Sequence, residues 1–287
     1  MRAALLVNPI AGRGQALQHA RQIMNNLEKC GIHARIEMDP ARGFPAGTPS
    51  HAIAVGGDGT IHRWLPALVK HEVILWHAPL GTENLFARHY GMSRDPNDIH
   101  RALRAGRTAR HDLGRFDGTL FAIMASLGPD AAIVRRVNHH RTGRITRLSY
   151  AHPTLQELRF GQPGHLRLSI DSAPYLERRG MLVIAVLPGY GGGLNPAWEA
   201  TSDDGMLTAV HIPGRSALTV GFKLACSWLR DHSAIAGREL WHAATIEIQT
   251  AGDTPVQLDG DPLEMTPTPT LRCESLPRAL RVLLPAI

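Results

Sequence analysis

HAIAVGGDGTIHRWL, residues 51–65, places an apolar run against a glycine-rich turn and then returns to an apolar pattern. Asp-Gly between two alternating strands is a hairpin signal, so the residues on both sides of the turn decide its structure. After Thr60 the apolar residues recur with helical period, at Ile61, Trp64, Leu65, Leu68 and Val69. This spacing predicts a strand, a glycine turn and a helix, with Pro66 expected to kink or restart the helix.

The same order of strand, glycine turn and helix recurs on either side of this stretch. Strands are predicted over residues 2–7, 32–38 and 51–55 and within 72–82. Further helices are predicted over residues 15–30 and 83–91. The connection over residues 39–50 is too rich in Pro and Gly for a full crossover helix. The pattern predicts an open α/β sheet with its site at the carboxyl ends of the strands.

From about Asp112 the pattern changes to short strand-like runs. These are TLFAIMAS (119–126), HLRLSID (165–171), MLVIAVL (181–187), MLTAVHI (206–212) and ATIEIQT (244–250). Helical insertions are expected near residues 130–160 and 216–231. The last run, ALRVLLP (279–285), is a buried strand that fits either half. We therefore expect a second, mostly β domain built as a sandwich.

Composition limits the class of protein. The 287 residues are 44% hydrophobic and 20% charged, which suits two globular domains. The three cysteines form no CxxC pair, which argues against a disulfide framework and a structural zinc site. No apolar window has the length of a signal-peptide core or a membrane span, so we expect a cytoplasmic protein.

The chain carries a net charge of +6 and a sequence pI near 9.7. This balance favours anionic partners, which include nucleotide phosphates and an acidic membrane surface. Nucleic acid ranks third because no nucleic-acid-binding module is recognisable. A solvated basic surface without a partner is equally compatible with the charge.

GGDGT, residues 56–60, has the chemistry of an anion site if it begins a helix. Glycines 56, 57 and 59 let the backbone approach a phosphate, and the helix N-terminus adds partial positive charge. Asp58 can hold a divalent cation, and Thr60 can cap the helix or donate to a phosphate. The alternative is an ordinary strand-to-helix turn in which Thr60 is the N-cap and Asp58 is solvated.

Two further turns share this edge of the predicted sheet. NPIAGRG (8–14) lacks the ending of a P-loop, and a plain turn explains it as well as a nucleotide contact does. PLGTENLFAR (79–88) brings Thr82 to a third strand end, where helix capping by Thr82 and Glu83 is an equal explanation. Three such turns in succession favour a shared phosphate site.

The β half adds carboxylates on tight turns. GYGGG (189–193) suggests close approach to a ligand or a long turn, and TSDDGM (201–206) and LDGDPL (258–263) each carry acidic residues. Taken alone, each acidic turn is best explained as a solvent-facing Asx turn. Together they can supply cation-binding and proton-accepting groups.

In this order, NPIAGRG, GGDGT, PLGTENLFAR, DDGM and LDGDPL resemble the diacylglycerol kinase catalytic family, which includes bacterial lipid kinases and, more distantly, sphingosine and ceramide kinases. ASLGPDAAIV (125–134), TGRITRLSY (142–150), GYGGG and the closing ALRVLLP extend the resemblance nearly from end to end. It implies an α/β nucleotide-binding domain over 1–111 and 277–287. A β-sandwich lipid-substrate domain over 112–276 follows, with the last strand returning to the first domain.

The resemblance also implies a function and a set of site residues. The function is an ATP- and Mg²⁺-dependent lipid kinase that phosphorylates a hydroxyl of a lipid such as diacylglycerol, with peripheral contact at the inner face of an anionic membrane. The implied nucleotide contacts are Asn8, Gly56, Gly57, Asp58, Gly59, Thr60, Ile61, His62 and Thr82. Asp204 and the carbonyls of Thr201 and Met206 match the metal site. Asp261 matches the general base, and Asp58 is also expected to be catalytic.

The chain departs from the family pattern at three places. Asp259-Gly260-Asp261 replaces the usual Asp-Gly-Glu, and Leu85 replaces the aspartate of GTxND. The segment after the second strand lacks the usual Thr and full helix. Two other functions therefore stay open: a kinase for a soluble substrate, since NAD kinases share a GGDG loop, and a nucleotide or lipid sensor that has lost its base.

Overall fold

The structure is a computed structural model that describes residues 1–9, 11, 14–139, 147–227, 235–250, 254–264 and 270–286. Its strands are β1 Arg2–Val7, β2 His33–Glu37, β3 His51–Gly56, β4 Ile74–Pro79, β5 Thr108–Phe116, β6 Thr119–Phe121, β7 Met124–Leu127, β8 His165–Ile170, β9 Leu176–Ala185, β10 Leu207–Pro213, β11 Glu239–Ala243, β12 Thr245–Thr250, β13 Val256–Leu258, β14 Asp261–Leu263 and β15 Leu271–Leu283. Its helices are α1 Ala16–Lys29, α2 Asp58–Lys70, α3 Leu85–Tyr90, α4 Pro96–Ala105, α5 Pro129–His139, α6 Ala151–Phe160 and α7 Ala217–Cys226.

The chain divides into two compact units. The first contains residues 1–112 and 278–287, and the second contains residues 113–277. Across the described ranges, none of the helices combines the length and apolar character needed to cross a membrane.

The first unit is built on a parallel sheet in the order β15-β4-β3-β1-β2. Nearly every residue of β1, β3 and β4 is buried, as expected for strands that are covered on both faces. The return of β15 to β4 confirms the prediction that the last strand joins the first domain. Because all five strands are parallel, their carboxyl ends lie at one edge of the sheet.

Two predictions about helices in this unit need correction. α2 does not restart at Pro66 but runs through it. Pro66 is exposed, so water can satisfy the carbonyl that loses its partner. The sequence reasoning also missed α4, although Asp95 caps it by accepting from Asn97 N at 2.8 Å and Pro96 stands at its first position.

The second unit consists of two antiparallel sheets that share β9. One sheet has the order β14-β13-β7-β9-β10-β11, and the other continues from β9 through β8 and β12 to β15, β5 and β6. Residues 176–179 of β9 pair with β8, whereas residues 182–185 pair with β7. Gly180 lies between the two halves, where a Cβ atom would be 2.2 Å from the Ile212 carbonyl oxygen. The predicted mostly β second half is therefore confirmed.

The predicted helical insertions correspond to α5, α6 and α7. The short strands β6 and β7 divide the run that the sequence suggested was continuous, and β5, β11, β13 and β14 were not predicted. Residues 228–231 of the second insertion lie outside the described residues. The same holds for residues 142–146 of TGRITRLSY and for Ile10, Gly12 and Arg13 of NPIAGRG.

Candidate functional site

The three glycine-bearing turns of the first unit meet at the carboxyl edge of the sheet. Strand register pairs Val7 with Val55, and Gly56 with Pro79, so the turns that follow β1, β3 and β4 are neighbours. Asn8 follows β1 directly and is half-buried, whereas Thr82 in the turn after β4 is exposed. The structure thus brings the first-unit candidates to one edge, as their order in the sequence predicted.

Glycine is required in this loop for packing. A Cβ atom on Gly56 would lie 2.1 Å from Thr60 Oγ1, and one on Gly81 would lie 2.6 Å from Gly57 Cα. The turns after β3 and β4 therefore pack backbone against backbone. Leu80 N also donates to Gly56 O at 2.7 Å, which fixes the second turn against the first.

The N-terminus of α2 opens at this edge without a side-chain cap. Gly57 is its N-cap residue and has no side chain to accept from the first turn, while Thr60 N donates to Gly57 O at 2.9 Å. The alternative in which Thr60 is the N-cap is wrong, because the helix begins at Asp58 and Thr60 is buried inside it. The N–H groups at the start of a helix attract anions.

The other two expected nucleotide contacts of α2 lie further along the helix. Ile61 is 1% exposed and belongs to the core, so its side chain is closed to a ligand. His62 is half-buried.

Asp58 holds the neighbouring loop. Its Oδ2 accepts from Leu85 N at 3.0 Å and its Oδ1 accepts from Phe86 N at 3.2 Å. These N–H groups begin α3, so the carboxylate caps a helix that starts 27 residues later in the chain. The sequence interpretation, in which Asp58 is solvated or holds a cation, did not foresee this role.

Asn84 completes the turn after β4. Its Oδ1 accepts from Gly81 N at 2.7 Å and its Nδ2 donates to Gly81 O at 2.9 Å. Asn84 is the left-handed N-cap residue of α3 at φ 50°, and α3 starts only at Leu85. Thr82 and Glu83 therefore precede the helix and are not its caps, which leaves the exposed Thr82 available to a ligand.

His77 lies beneath the glycine loop and is fully buried. Its Nε2 is 3.0 Å from Gly56 O, and because a carbonyl only accepts, Nε2 carries the proton. Burial lowers the pKa of His77, while the nearby Asp58 carboxylate acts in the opposite direction. A neutral imidazole therefore supports the loop, and no signal in the sequence indicated this.

In the second unit, Asp259 and Gly260 form the two-residue turn between β13 and β14. Their φ angles of 50° and 88° are both positive, as a type I′ hairpin turn requires. The Asp259 carboxylate is buried and accepts from the backbone N–H groups of Ala122, Ile123 and Met124 at 2.8–3.0 Å. Asp259 therefore anchors the hairpin that carries Asp261.

A directed chain of hydrogen bonds holds the other side of this turn. Gly260 N donates to Gln257 Oε1 at 2.8 Å, so Gln257 Nε2 is the atom that donates to Ser126 Oγ, at 2.7 Å. Ser126 in turn donates to Asp130 Oδ2, which also accepts from the Tyr190 hydroxyl at 2.5 Å. Burial raises the pKa of Asp130, and these donors oppose the shift.

Asp261 is half-buried at the first position of β14. It is the more exposed of the two acids of LDGDPL, since Asp259 is buried. This placement suits a proton acceptor, which has to reach a substrate hydroxyl.

The predicted metal loop is exposed. Asp204 Oδ2 accepts from Thr201 Oγ1 at 2.5 Å and Asp204 Oδ1 accepts from Met206 N at 2.9 Å, as in the Asx turn considered for this sequence. Among the described residues, no group of three or more His, Cys, Asp or Glu side chains is arranged to hold a metal ion. Any ion here would rely on the single Asp204 carboxylate and main-chain carbonyls.

Two family models match this chain, one after the other along the sequence. The model of the diacylglycerol kinase catalytic domain matches residues 2–116, and that of the YegS C-terminal NAD kinase beta sandwich-like domain matches residues 123–284.

Curated relatives cover most of the chain. A "Probable lipid kinase YegS-like" protein of Klebsiella pneumoniae is 29% identical and covers 99% of this chain and 96% of its own length. A protein of the same name from Pseudomonas aeruginosa is 32% identical over 82% of this chain and 76% of its own. A "Diacylglycerol kinase" of Mycobacterium tuberculosis is 26% identical, covering 98% and 94%.

Solved structures share the fold. Two Bacillus anthracis structures superpose with TM-scores of 0.78 and 0.69 at 19% and 18% identity, and the second is named a diacylglycerol kinase. Both cover 99% of this chain, and 95% and 96% of their own. With the two domain models in sequence order and a relative above 30% identity, the chain belongs to the diacylglycerol kinase catalytic family, a family of phosphotransferases that act on lipid hydroxyls.

Proposed function

We propose that this protein is an ATP- and Mg²⁺-dependent kinase that transfers the γ-phosphate to a hydroxyl of a lipid such as diacylglycerol, at the cytoplasmic face of a membrane. The observation that carries the proposal is the N-terminus of α2, which has no side-chain cap. It lies at two turns in which the glycine positions leave no room for a side chain. Backbone N–H groups held this rigidly suit phosphate oxygens.

The first unit supplies the nucleotide contacts in this proposal. The N–H groups of Asp58 and Gly59 bind phosphate oxygens, and the exposed Thr82 hydroxyl donates to the same nucleotide. Asn8, at the end of β1, adds a further contact. The side chains of Asp58 and Asn84 act indirectly, by fixing the turn that carries Thr82.

The second unit supplies the base. Asp261 accepts the proton of the lipid hydroxyl while the hydroxyl oxygen forms a bond to the γ-phosphorus. The bond between that phosphorus and the oxygen bridging the β- and γ-phosphates breaks, and ADP leaves. Positioning supplies most of the rate in such transfers. The fixed hairpin turn therefore matters, because Asp is one methylene shorter than the Glu usual in the family.

The residues around Asp204 fit a hard divalent cation in chemistry. One carboxylate and the carbonyls of Thr201 and Met206 are oxygen ligands, the class that Mg²⁺ prefers, and the exposed loop leaves room for water ligands. A magnesium ion bound with the nucleotide would neutralise phosphate charge.

The test is transfer of radiolabelled phosphate from ATP to a panel of diacylglycerol, phosphatidylglycerol, a sphingoid base and NAD, with Mg²⁺ or with EDTA. We expect a labelled lipid product only with Mg²⁺. Asp261→Asn should abolish it, whereas Asp117→Asn, which changes an exposed acid of the same unit in the turn between β5 and β6, should not. Product from NAD alone would replace the lipid with a soluble substrate, and tight ATP binding without any product would indicate a sensor.

A further inference from the structure

Two helices of the second unit expose large apolar side chains to solvent. Among the described residues, four of the six most exposed large hydrophobic side chains lie on α6 and α7: Leu155 at 66%, Phe160 at 70%, Leu218 at 60% and Phe222 at 71%. Scattered single apolar residues on a surface are ordinary, but four on two neighbouring helices are not. We call these four residues, with Arg159 and Lys223, the α6–α7 surface.

The two helices are in direct contact. Ala217 N donates to Gly161 O at 3.2 Å, which joins the end of α6 to the start of α7. Further along, a Cβ atom on Gly221 would lie 2.5 Å from Leu158 Cδ2, so the helices run antiparallel and touch there. Phe160 and Leu218 are chain neighbours of the first contact, and Phe222 is a chain neighbour of the second. Leu155 lies one turn before Leu158, so the four side chains belong to one region.

α7 is apolar on both of its faces. Ala217, Val220 and Leu224 are buried against the β unit, while Leu218 and Phe222 point to solvent one turn apart. Packing within the protein explains the first set but not the second. A surface helix normally carries polar residues on its outer face, and a helix that is apolar all round is a buried one. The outer face of α7 therefore has the composition of a face that is normally covered by an apolar partner, such as a protein surface or the interior of a lipid bilayer.

The charges on the two helices are basic. The Arg159 guanidinium lies 5.1 Å from the centre of the Phe160 ring, and Lys223 is half-buried beside Phe222. The acid of these helices, Glu157, is buried and pairs with Arg136 at 3.1 Å. Apolar side chains bordered by cations, with the acid turned inward, are complementary to an anionic lipid surface.

We propose that the α6–α7 surface docks this protein on an anionic lipid bilayer, with Leu155, Phe160, Leu218 and Phe222 entering the interface and Arg159 and Lys223 meeting lipid phosphates. The use of this docking to obtain the acceptor lipid rests on the proposed function. The docking itself depends only on the surface. A second copy of the chain is the competing occupant, and the test separates the two.

The test is co-sedimentation with vesicles of phosphatidylcholine alone or mixed with phosphatidylglycerol, in the absence of ATP. We expect the wild-type chain to bind the mixed vesicles in preference. Leu155→Gln with Phe222→Gln should lower the partition coefficient by at least roughly tenfold, since each change removes one large apolar side chain from the interface. Arg159→Gln with Lys223→Gln should lower it by roughly fivefold per cation.

The matched control is Met38→Gln, which changes a 53% exposed apolar side chain of the first unit and should leave binding unchanged. Circular dichroism and thermal unfolding check that each variant is folded. The proposal is overturned if the wild-type chain does not bind anionic vesicles or binds neutral vesicles equally well. It is also overturned if the Leu155→Gln, Phe222→Gln variant binds as well as the wild-type chain. A wild-type dimer that Phe222→Gln converts to monomer also overturns it, because a second copy then covers the surface.

Turnover of a short-chain diacylglycerol dissolved as monomers separates the docking from the chemistry. The docking variants should phosphorylate that monomer at the wild-type rate and lose activity only towards lipid presented in vesicles. If no lipid is phosphorylated in either form while the binding pattern holds, the proposed function fails and the docking stands. If the monomer is a substrate but vesicle binding ignores the variants, the docking fails and the kinase stands.

Discussion

Replacing Asp58 by alanine should weaken ATP binding by loosening the turn after β4. The Asp58 carboxylate accepts from Leu85 N and Phe86 N at 3.0 and 3.2 Å, and nothing in alanine replaces these contacts. Asp95 is the matched control because it caps α4 in the same unit, accepting from Asn97 N, away from the carboxyl edge of the sheet. The two variants remove the same kind of contact at different places.

The expected losses of stability follow from the contacts. Removal of an N-cap acid costs about 1 kcal/mol, which is our expectation for Asp95→Ala. Asp58→Ala also removes a second backbone contact and a charge at the start of α3, for a total of about 2 kcal/mol. For a unit of this size these values correspond to falls in Tm of roughly 4 °C and 8 °C. Asp58→Asn should lie between, because its amide nitrogen cannot accept.

The assays are thermal unfolding, calorimetric titration with ATP and steady-state kinetics. We expect Asp58→Ala to weaken ATP binding roughly tenfold, the equivalent of one lost phosphate contact, and to raise KM for ATP. Asp95→Ala should bind ATP as the wild-type chain does. If Asp58→Ala unfolds like the wild-type chain, the capping argument is refuted. If it abolishes kcat while ATP binding stays intact, Asp58 acts in the chemistry itself.

Gly81→Ala should weaken ATP binding by roughly tenfold, since its Cβ would lie 2.6 Å from the backbone of the neighbouring turn. Gly191→Ala should not weaken it, because that Cβ meets nothing within 4 Å. Titration calorimetry measures the ATP affinity of both variants. Asp261→Glu restores the usual chain length, so we expect a higher kcat with unchanged ATP binding in a transfer assay. Burial makes the pKa of His77 lower in the folded protein than in the unfolded chain, so below about pH 6.5 the unfolded chain binds more protons and the free energy of unfolding rises with pH. His77→Gln keeps a donor to the loop but cannot titrate. Urea unfolding of this variant should therefore show a free energy of unfolding that changes less with pH.

Much of the fold was predictable because its signals are local. The buried strands β1, β3 and β4 are continuous apolar runs, and the helical period of α1 and α2 separates them. α4 was equally predictable, since Asp95-Pro96 is an N-cap followed by proline at the first helical position. β13 and β14 have three residues each, too few for any period to show.

The candidate site was predictable as a place and less so as a set of roles. Glycine turns after successive strands located the edge, because parallel strands end together. The partners of Asp58 are N–H groups 27 and 28 residues further along, and every residue except proline offers such a group. The sequence therefore shows that an acid lies in the loop after β3, but it does not show which backbone N–H groups that acid binds. The buried His77 is invisible for the same reason, since its partner is the Gly56 carbonyl.

Two of the acids that mark this family serve the backbone. Asp58 fixes one turn through two N–H groups, and Asp259 fixes the β13–β14 hairpin through three. The oxygens of both carboxylates are engaged by backbone N–H groups, so each side chain is held in place within its loop. Asp261, half-buried just after that hairpin turn, has the exposure that a base requires. In the proposed function, Asp58 and Asp259 build the loops and Asp261 reacts, and the Asp58 and Asp261 variants test that division directly.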